Sequence, residues 1–282
     1  MSVASVQRVA SELPAAAAIR WPSRHRLMGV PVSATTVADA ERCILAAARA
    51  RRPSLVDHLS VHGLAEARRD PHFREALECF DLVAPDGQPV RWALNLLFGA
   101  GLRERVYGPA LMARLCAHAA KEDIGVYLYG GSPAVLAGLC ERLRARHPDL
   151  RIVGAEAPPY RPLTPSEDDA VVERIERSGA GLVFIGLGCP KQELFAAEHA
   201  GRIHAVQLCV GAAFDFLAGS KPTAPRWMQD RGLEWLFRLA SEPRRLWRRY
   251  FFANSIFLVQ LARALAERAM RRIQLNGTGE VE

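Results

Sequence analysis

The sequence lacks paired cysteines, and this excludes the protein classes that depend on them. Its six cysteines are scattered, and no two of them stand in a C-x-x-C pair. Such spacing is untypical of a zinc ribbon, a redox motif or a disulfide scaffold, so we predict reduced thiols in a reducing compartment. Because 50% of the 282 residues are hydrophobic and 24% are charged, the chain has the composition of a globular protein with a buried core.

Long hydrophobic runs are also missing. No stretch reaches the roughly 18 apolar residues of a membrane-spanning helix, and the nearest candidate, 250–262, is interrupted by Asn254, Ser255 and Gln260. Residues 1–28 are rich in Ala, Ser and Arg and lack the apolar core of a signal peptide. We therefore predict a disordered N-terminal tail over residues 1–28 and a cytoplasmic protein that does not cross a membrane.

Several catalytic signatures are absent as well. There is no Asp-x-Asp triplet and no His/Cys cluster with metal-ligand spacing, so we predict neither a metal site nor a cofactor. No Walker loop, nucleophile elbow or zinc-protease helix is present. The turn Gly186-Leu187-Gly188 lacks the third glycine of a dinucleotide-binding fingerprint, because Lys191 occupies that place. The sequence thus supports an NAD-dependent oxidoreductase only weakly, and we keep that class as an alternative.

What the chain does contain, from about residue 30 to residue 219, is an alternation of short apolar runs with segments of helical periodicity. This alternation predicts βαβ units, a mostly parallel sheet and flanking helices, which together define the α/β class. Near residue 220 the pattern is broken by Gly, Ser, Lys and Pro. We therefore divide the chain into a core, 29–222, and a C-terminal appendage, 223–282.

Three of the predicted strands run directly into glycine-rich turns. The turns are Gly130-Gly131, Gly186-x-Gly188 and the turn that begins at Gly211. Turns of this kind leave backbone N–H groups free at the start of a helix, where they can bind a phosphate or a diphosphate. Glycines also occur wherever a chain must turn, but three such turns at strand ends favour a nucleotide site.

The appendage carries most of the excess positive charge. Residues 223–282 contain eleven Arg, no Lys and six acidic residues, and so contribute five of the seven net positive charges. The sequence predicts a long amphipathic helix from Pro243 to about Ile273, with an apolar stripe that includes Trp247 and Phe251. A basic, aromatic helix is typical of an element that lies on a membrane surface. A solvated helix face, and a non-catalytic module that binds membrane or nucleic acid, are the alternatives.

Asp86 is the most distinctive carboxylate of the core. It lies in the turn Pro85-Asp86-Gly87 after a short predicted strand, where its side chain would project over the crevice at the edge of the sheet. A carboxylate in that place could act as a general base on a hydroxyl group. The competing interpretation is a turn residue that caps the next helix, and the local sequence alone favours this interpretation.

A set of short motifs runs along the whole chain in a recognisable order. The motifs are Ala84-Pro85-Asp86-Gly87, Arg105-Val106-Tyr107-Gly108, Gly130-Gly131-Ser132, Gly186-Leu187-Gly188-Cys189-Pro190-Lys191-Gln192-Glu193, Gly211-Ala212-Ala213-Phe214-Asp215, Gly232-Leu233-Glu234-Trp235-Leu236-Phe237-Arg238-Leu239 and Glu242-Pro243-Arg244-Arg245. From about residue 30 to residue 250, this ordered set resembles the WecG/TagA/CpsF family of bacterial glycosyltransferases. Each motif alone is modest, whereas their order is highly specific.

The resemblance implies both an architecture and an activity. It implies a Rossmann-like core and a C-terminal basic, amphipathic helical appendage that meets the membrane and helps to close the active site. It also implies an inverting transfer of sugar from a UDP-sugar to a polyprenyl-diphosphate-linked saccharide. The enzyme would work on the inner face of the plasma membrane, in exopolysaccharide or cell-envelope glycan synthesis. We expect no nucleic-acid partner, and the oligomeric state stays open, a homo-oligomer included.

Individual roles follow from the matched motifs. The family's proposed base is the Asp of the Pro-Asp-Gly turn, which maps to Asp86 and outweighs the local preference for a cap. Arg105 matches an arginine beside the acceptor or the diphosphate, and Gln192 matches a residue that faces the nucleotide-sugar. The other expected substrate-binding residues are the turn glycines and the appendage arginines: Gly130, Gly131, Gly186, Gly188, Arg238, Arg245 and Arg248.

One departure from the family pattern concerns the donor sugar. Where the family usually has Thr-x-Asn, this chain reads His58-Leu59-Ser60. His58 and Ser60 are therefore our expected substrate contacts, and for His58 we favour a hydrogen-bonding role over a second base. The change leaves the donor open between UDP-glucose and UDP-N-acetylmannosamine.

Overall fold

A six-stranded parallel sheet is the centre of the computed structural model, which describes residues 19–277. The sheet and its flanking helices confirm the predicted α/β class, while residues 1–18 of the predicted tail lie outside the described residues. The strands are β1 (Arg24–Leu27), β2 (Val30–Ser33), β3 (Ser54–Leu59), β4 (Leu82–Pro85), β5 (Val126–Gly130), β6 (Ile152–Glu156), β7 (Leu182–Gly186) and β8 (Val206–Cys209). The helices are α1 (Val37–Arg49), α2 (Val61–Arg69), α3 (Pro71–Glu78), α4 (Gln88–Phe98), α5 (Gly108–Lys121), α6 (Pro133–Arg146), α7 (Pro165–Ser178), α8 (Lys191–Glu198), α9 (Ala213–Ala218), α10 (Arg226–Asp230), α11 (Glu234–Ser241) and α12 (Pro243–Gly277).

The order of the strands brings distant turns to one edge of the sheet. That order is β4-β3-β8-β7-β5-β6, and every neighbouring pair is parallel. The pairs at the two edges of the sheet, β3–β4 and β5–β6, come first in the sequence. The later strands β7 and β8 lie between them in the centre. Because the carboxyl ends of parallel strands meet at the same edge, the glycine turns after β5, β7 and β8 lie at the same edge as the Pro-Asp-Gly turn after β4.

Each central strand is buried on both of its faces. In β7, Leu182 and Phe184 belong to the buried cluster formed with α1, α5, α6 and α9, whereas Val183 and Ile185 belong to the cluster formed with α2, α3, α4, α7 and α8. Alternate side chains of a strand point to opposite faces, so a continuous apolar run needs a helical layer on each side. Full burial of one such side chain stabilises the fold by about 1.5–3 kcal/mol.

The hairpin β1–β2 corrects the N-terminal boundary. We predicted disorder through residue 28, but β1 pairs antiparallel with β2 and belongs to the folded domain. Met28 (φ 52°) and Gly29 (φ 86°) form the connecting turn, with the two positive φ angles of a type I′ hairpin. Arg24 then donates from Nη1 to the carbonyl oxygen of Phe80 at 2.8 Å and ties the hairpin to the core. The strand was missed because its sequence, Arg-His-Arg-Leu, has no apolar run.

The appendage consists of α10, α11 and α12. The long C-terminal helix is confirmed, and it packs against α2 and α4 through the buried residues Leu246, Ala253 and Phe257. The predicted stripe lies on a different side, since Trp247 is 51% and Phe251 is 63% exposed. Within residues 19–277, none of the helices combines the length and the apolar character that a bilayer span requires. The boundary at residues 222/223 stays a prediction.

Gly130 allows β5 and β7 to approach each other closely at the edge where the turns begin. Gly130 has a φ of 125°, and a Cβ atom on it would lie 2.6 Å from the carbonyl carbon of Gly186. Real Cβ atoms do not reach backbone atoms at that distance, and the conformation itself is rare for residues other than glycine. Gly130 therefore serves the packing of the two strand ends.

We expect Gly130→Ala to lower the stability of the protein far more than Gly99→Ala. Both glycines have a positive φ, where alanine costs about 1–2 kcal/mol, but a Cβ atom at Gly99 would meet nothing within 4 Å. Thermal unfolding followed by circular dichroism measures the difference. The Gly99→Ala variant should melt a few degrees below the wild type, at about 2–4 °C per kcal/mol. Equal decreases in melting temperature in the two variants would show that β5 and β7 do not approach each other closely at Gly130.

Candidate functional site

A cavity of about 1240 Å³ opens at the carboxyl edge of the sheet. This volume exceeds the range of about 300–1,000 Å³ that is usual for a single small ligand. Residues of both the core and the appendage line it. Nine residues of the predicted site lie in its wall: His58, Ser60, Asp86, Gly131, Gly186, Gly188, Gln192, Arg238 and Arg245.

Three residues of the predicted site lie outside this wall. Gly130 packs on the neighbouring strand, and Arg105 contacts the carboxylates of Asp86 and Glu234 instead of facing the cavity. Arg248 lies on the exposed side of α12, with its guanidinium carbon 5.3 Å from the ring centre of its neighbour Trp247. The next residue, Arg249, lines the cavity in its place, since successive residues of a helix are rotated by about 100°.

Asp86 is held in place by backbone contacts at the end of β4. Its N–H group donates to the carbonyl oxygen of Leu59 at 3.0 Å, which continues the pairing of β4 with β3. Gly87, with a φ of 98°, then turns the chain into α4, and no side chain caps the start of that helix. Asp86 therefore does not cap α4, and the residue lines the cavity.

The surroundings of Asp86 make its carboxylate more basic than usual. The side chain is 22% exposed, and its Oδ1 atom lies 3.8 Å from Nη1 of Arg105. Burial raises the pKa of Asp86 to about 6, and the charge of Glu234 acts in the same direction. The positive charges of Arg105 and Arg238 lower that pKa and prevent a larger rise. A carboxylate with such a pKa is ionised at pH 7 and accepts a proton more readily than an ordinary aspartate.

His58 is a neutral hydrogen-bonding group in this site. Its Nδ1 atom lies 3.1 Å from the carbonyl oxygen of Cys209, so Nδ1 carries the proton and donates it. Burial lowers the pKa of His58 to about 4, and its Nε2 atom has no hydrogen-bond partner within residues 19–277. A group with that pKa is a poor base at pH 7. His58 is therefore a neutral group that joins the end of β3 to the end of β8, and its Nε2 atom is buried away from solvent.

Gln192 is fixed by hydrogen bonds at both ends of its amide. Its Oε1 atom accepts from the N–H group of Gly188 at 3.2 Å, and its Nε2 atom donates to Glu193 at 2.9 Å. The N–H groups of Gly131 and Gly211 donate to the carbonyl oxygens of Gly186 and Ile185. The expectation that these glycine turns offer free N–H groups is therefore wrong for the N–H groups of Gly131, Gly188 and Gly211. These three N–H groups therefore do not contribute to binding a phosphate in this structure.

Ser60 has a hydroxyl group that the protein does not use locally. The residue is the N-cap of α2, yet its side chain makes no capping hydrogen bond. Because it also lines the cavity, the hydroxyl is available to a ligand. Ser60 and His58 thus form a short polar segment at the end of β3, next to Asp86 at the end of β4.

Below this segment, two carboxyl groups are buried together. Asp57 is 1% and Glu193 is 2% exposed, and neither oxygen of Asp57 has a hydrogen-bond donor within the described part of the chain. Burial and the nearby charge of Glu193 raise the pKa of Asp57 well above its usual value, so it keeps its proton to a higher pH than an exposed aspartate. In residues 19–277, no three His, Cys, Asp or Glu side chains are grouped so that they could hold a metal ion.

One end of the cavity is strongly cationic. Lys221, Arg238, Arg245 and Arg249 line it, three of them from the appendage helices α11 and α12. Displacement of water around Arg249, together with the like charges of Arg238 and Arg245, lowers the pKa of that guanidinium. Among the side chains that the structure describes, Arg238 and Arg249 have no carboxylate within 4 Å. Such a cluster is costly by itself and suits an anion that carries several charges, such as a diphosphate.

Sequence reasoning missed four residues of this site. Arg249 and Lys221 belong to the cationic end, while Tyr107 lines the cavity beside Asp86. Glu234, at the start of α11, forms an ion pair with Arg105. Tyr107 and Glu234 stood inside motifs that resemble the family, and this was the available signal. No feature of the sequence alone distinguished Arg249 from Arg248.

A family model covers most of the chain. Residues 25–271 match the family model described as "Glycosyl transferase WecG/TagA/CpsF family". The matched range begins within β1 and ends within α12, and so includes the whole cavity. The chain therefore belongs to the WecG/TagA/CpsF family of glycosyltransferases, which act in the synthesis of cell-surface polysaccharides.

Proposed function

We propose that this glycosyltransferase moves a hexose or N-acetylhexosamine from a UDP-sugar to a polyprenyl-diphosphate-linked saccharide, with inversion and without a divalent metal. The observation that carries the proposal is the shared cavity: a basic carboxylate, Asp86, and three appendage arginines line one space. The family membership removes the oxidoreductase and the non-catalytic module from consideration. It leaves donor, acceptor and metal use to be derived from the cavity itself.

The proposed reaction is a single in-line displacement. Asp86 accepts the proton of an acceptor hydroxyl while that oxygen forms a bond to the anomeric carbon of the donor. The bond from the anomeric carbon to the UDP oxygen breaks on the opposite side, so the configuration inverts. The electron pair leaves with UDP, whose developing charge is stabilised by Arg238, Arg245 and Arg249. These guanidinium groups do the work that a metal ion does in many other transferases.

The neutral polar groups of the cavity suit the sugar. Ser60 offers a hydroxyl that can donate or accept, and the neutral ring of His58 lies beside it in the wall of the cavity. Gln192 would contact the nucleotide-sugar with an amide whose orientation is fixed. Hydroxyl-rich hexoses satisfy such groups, and both UDP-glucose and UDP-N-acetylmannosamine remain donors within the proposal.

The exposed face of the appendage suits a lipid-linked acceptor. An apolar groove of about 370 Å³ runs between α11 and α12 and is lined by Trp235, Leu239, Trp247, Tyr250, Phe251, Asn254, Ser255 and Leu258. Burial raises the pKa of Tyr250 while Arg238 and Arg249 act in the opposite direction, so this ring lies beside the cationic end of the cavity. Aromatic side chains next to arginines are favourable at the surface of an anionic membrane. The enzyme would thus be peripheral on the inner face of the plasma membrane.

Replacement of the proposed base should remove turnover while the fold persists. Loss of a general base lowers a rate by about 10²–10⁴-fold, so we expect that loss in kcat for Asp86→Ala, measured by product mass with UDP-sugars and a short-chain lipid-diphosphate acceptor. Asp149→Ala, which alters an exposed aspartate far from the cavity, serves as the matched control. Circular dichroism should give native spectra for both variants. Wild-type turnover in Asp86→Ala would overturn the assignment.

The activity should depend on pH through the same group. Since only ionised Asp86 can accept the proton, and its pKa is raised to about 6, kcat/KM should be constant near pH 8 and fall below about pH 6. The fall should approach tenfold per pH unit, as for the titration of one essential base. A profile that stays flat down to pH 4.5, near the ordinary range of an aspartate, would contradict the proposed environment.

Membrane association should depend on the exposed aromatic face. Each large side chain that leaves water stabilises binding by about 1.5–3 kcal/mol, so the double variant Trp247→Ser/Phe251→Ser should bind vesicles with anionic lipids at least about tenfold more weakly. Substitution is preferable to deletion, because other side chains of α12 are buried against the core. Tyr160→Ser is the control, since Tyr160 is 89% exposed on the core. Sedimentation with vesicles measures binding, and equal binding of all three proteins would refute this role.

A further inference from the structure

One guanidinium group connects the appendage to the proposed base. Arg105 lies in the loop between α4 and α5, and its side chain is 13% exposed. Its Nη2 atom donates to the carboxylate of Glu234, the first residue of α11, while its Nη1 atom lies 3.8 Å from Oδ1 of Asp86. Two carboxylates, one from the core and one from the appendage, therefore share a single cation.

The sharing is unequal. Glu234 makes a direct hydrogen bond to Arg105, whereas 3.8 Å is longer than the 2.7–3.2 Å of an N–H···O hydrogen bond. The guanidinium carbon of Arg105 also lies 4.3 Å from the ring centre of Tyr107, and this stacking further restricts its position. Arg105 is thus held within the field of Asp86 but not in a direct pair with it.

We propose that Glu234 is a positioning residue that keeps Arg105 from pairing directly with Asp86 and so leaves the carboxylate free for the acceptor hydroxyl. This inference rests on the proposed role of Asp86 as the base. A direct pair between Arg105 and Asp86 would engage the carboxylate oxygens and make them weaker proton acceptors. Glu234 itself exchanges no proton in the reaction, since its carboxylate stays bound to the guanidinium.

The charges around Asp86 give the direction of the effect. The titratable groups close to it come from β3, from the loop before α5 and from α11, and they are Asp57, His58, Arg105, Tyr107, Glu234 and Arg238. Burial is the main cause that raises the pKa of Asp86; the charge of Glu234 adds to it, and that of Arg105 opposes it. Neutralising Glu234 removes one raising charge and releases Arg105 towards Asp86. Both changes lower the pKa of the base.

The test is Glu234→Gln in the full chain, which keeps the shape of the side chain and removes its charge. In the pH profile of kcat/KM, the acidic limb is the range at low pH in which activity falls. We expect this limb to shift by about one unit to lower pH, because Asp86 loses a proton more readily. At pH 8, kcat should fall by about three- to tenfold, as a weaker base reacts more slowly, while KM changes less than about twofold. If Glu234 had only a structural role, the substitution would leave the pH of the acidic limb unchanged. It would also not change kcat without changing KM.

Glu267→Gln is the matched control. Glu267 is also an appendage carboxylate, but it is exposed on α12 and does not line the cavity. Because this variant loses the same charge away from Asp86, its acidic limb should coincide with that of the wild type. Glu234→Asp is a second variant, which keeps the charge needed for folding and withdraws the carboxylate by one methylene group. Its limb should lie between those of Glu234→Gln and the wild type.

The outcomes separate this inference from the proposed function. If Asp86→Ala is inactive and the limbs of Glu234→Gln and Glu234→Asp coincide with the wild type, the positioning role is refuted and the base assignment stands. A raised KM with unchanged kcat in Glu234→Gln would also refute it, because Glu234 would then act only in docking. If Glu234→Gln does not give a native circular dichroism spectrum, the test uses Glu234→Asp alone. A shift of its acidic limb to lower pH supports the positioning role, and a limb that coincides with the wild type refutes it. Full activity of Asp86→Ala would overturn both proposals.

Discussion

One buried ion pair joins the core to the appendage at the cleft of this protein. Arg105 and Glu234 have little contact with solvent, and each provides the counter-charge that the other needs there. Breaking a buried pair of this kind by removing one partner costs about 3–5 kcal/mol, since an uncompensated charge remains. The pair therefore fixes the first turn of α11 against the core. Arg238, one helical turn further on, is thereby brought to the wall of the cavity.

The appendage combines two chemistries that would be unfavourable in an isolated soluble helix. On one side, arginines that face the cavity repel one another and gain from an anionic ligand. On the other side, large aromatic side chains are exposed to solvent. A polyprenyl diphosphate carries its charge directly beside its hydrocarbon chain, and it would satisfy both features at once. The packing of Leu246, Ala253 and Phe257 on the core keeps these two sides in a fixed relation.

The sequence was informative where one physical rule decided the outcome. Apolar runs followed by glycine turns predicted β5, β7 and β8 and the edge at which they end, because parallel strands allow few arrangements. The hairpin at the N-terminus escaped prediction, since its strand is polar and its register depends on contacts with distant residues such as Phe80. Arg248 was expected where Arg249 stands, because sequence patterns do not define the rotation of a helix against its neighbours. The N–H groups of three turn glycines were expected to be free, but Gly131 and Gly211 donate to carbonyl oxygens of β7, and Gly188 donates to the side chain of Gln192.

The site also joins parts of the chain that are made at different times. Asp86 belongs to the first third of the sequence, whereas Arg105 finds its counter-charge only in α11, beyond the last strand of the sheet. A ribosome that proceeds from the N-terminus completes the strands and their turns before it reaches the appendage. Until then, Arg105 lacks the carboxylate of Glu234 and can move closer to Asp86. On this basis the proposed base would be weaker in a nascent or prematurely terminated chain, and it would gain its full basicity only after synthesis of the last helices.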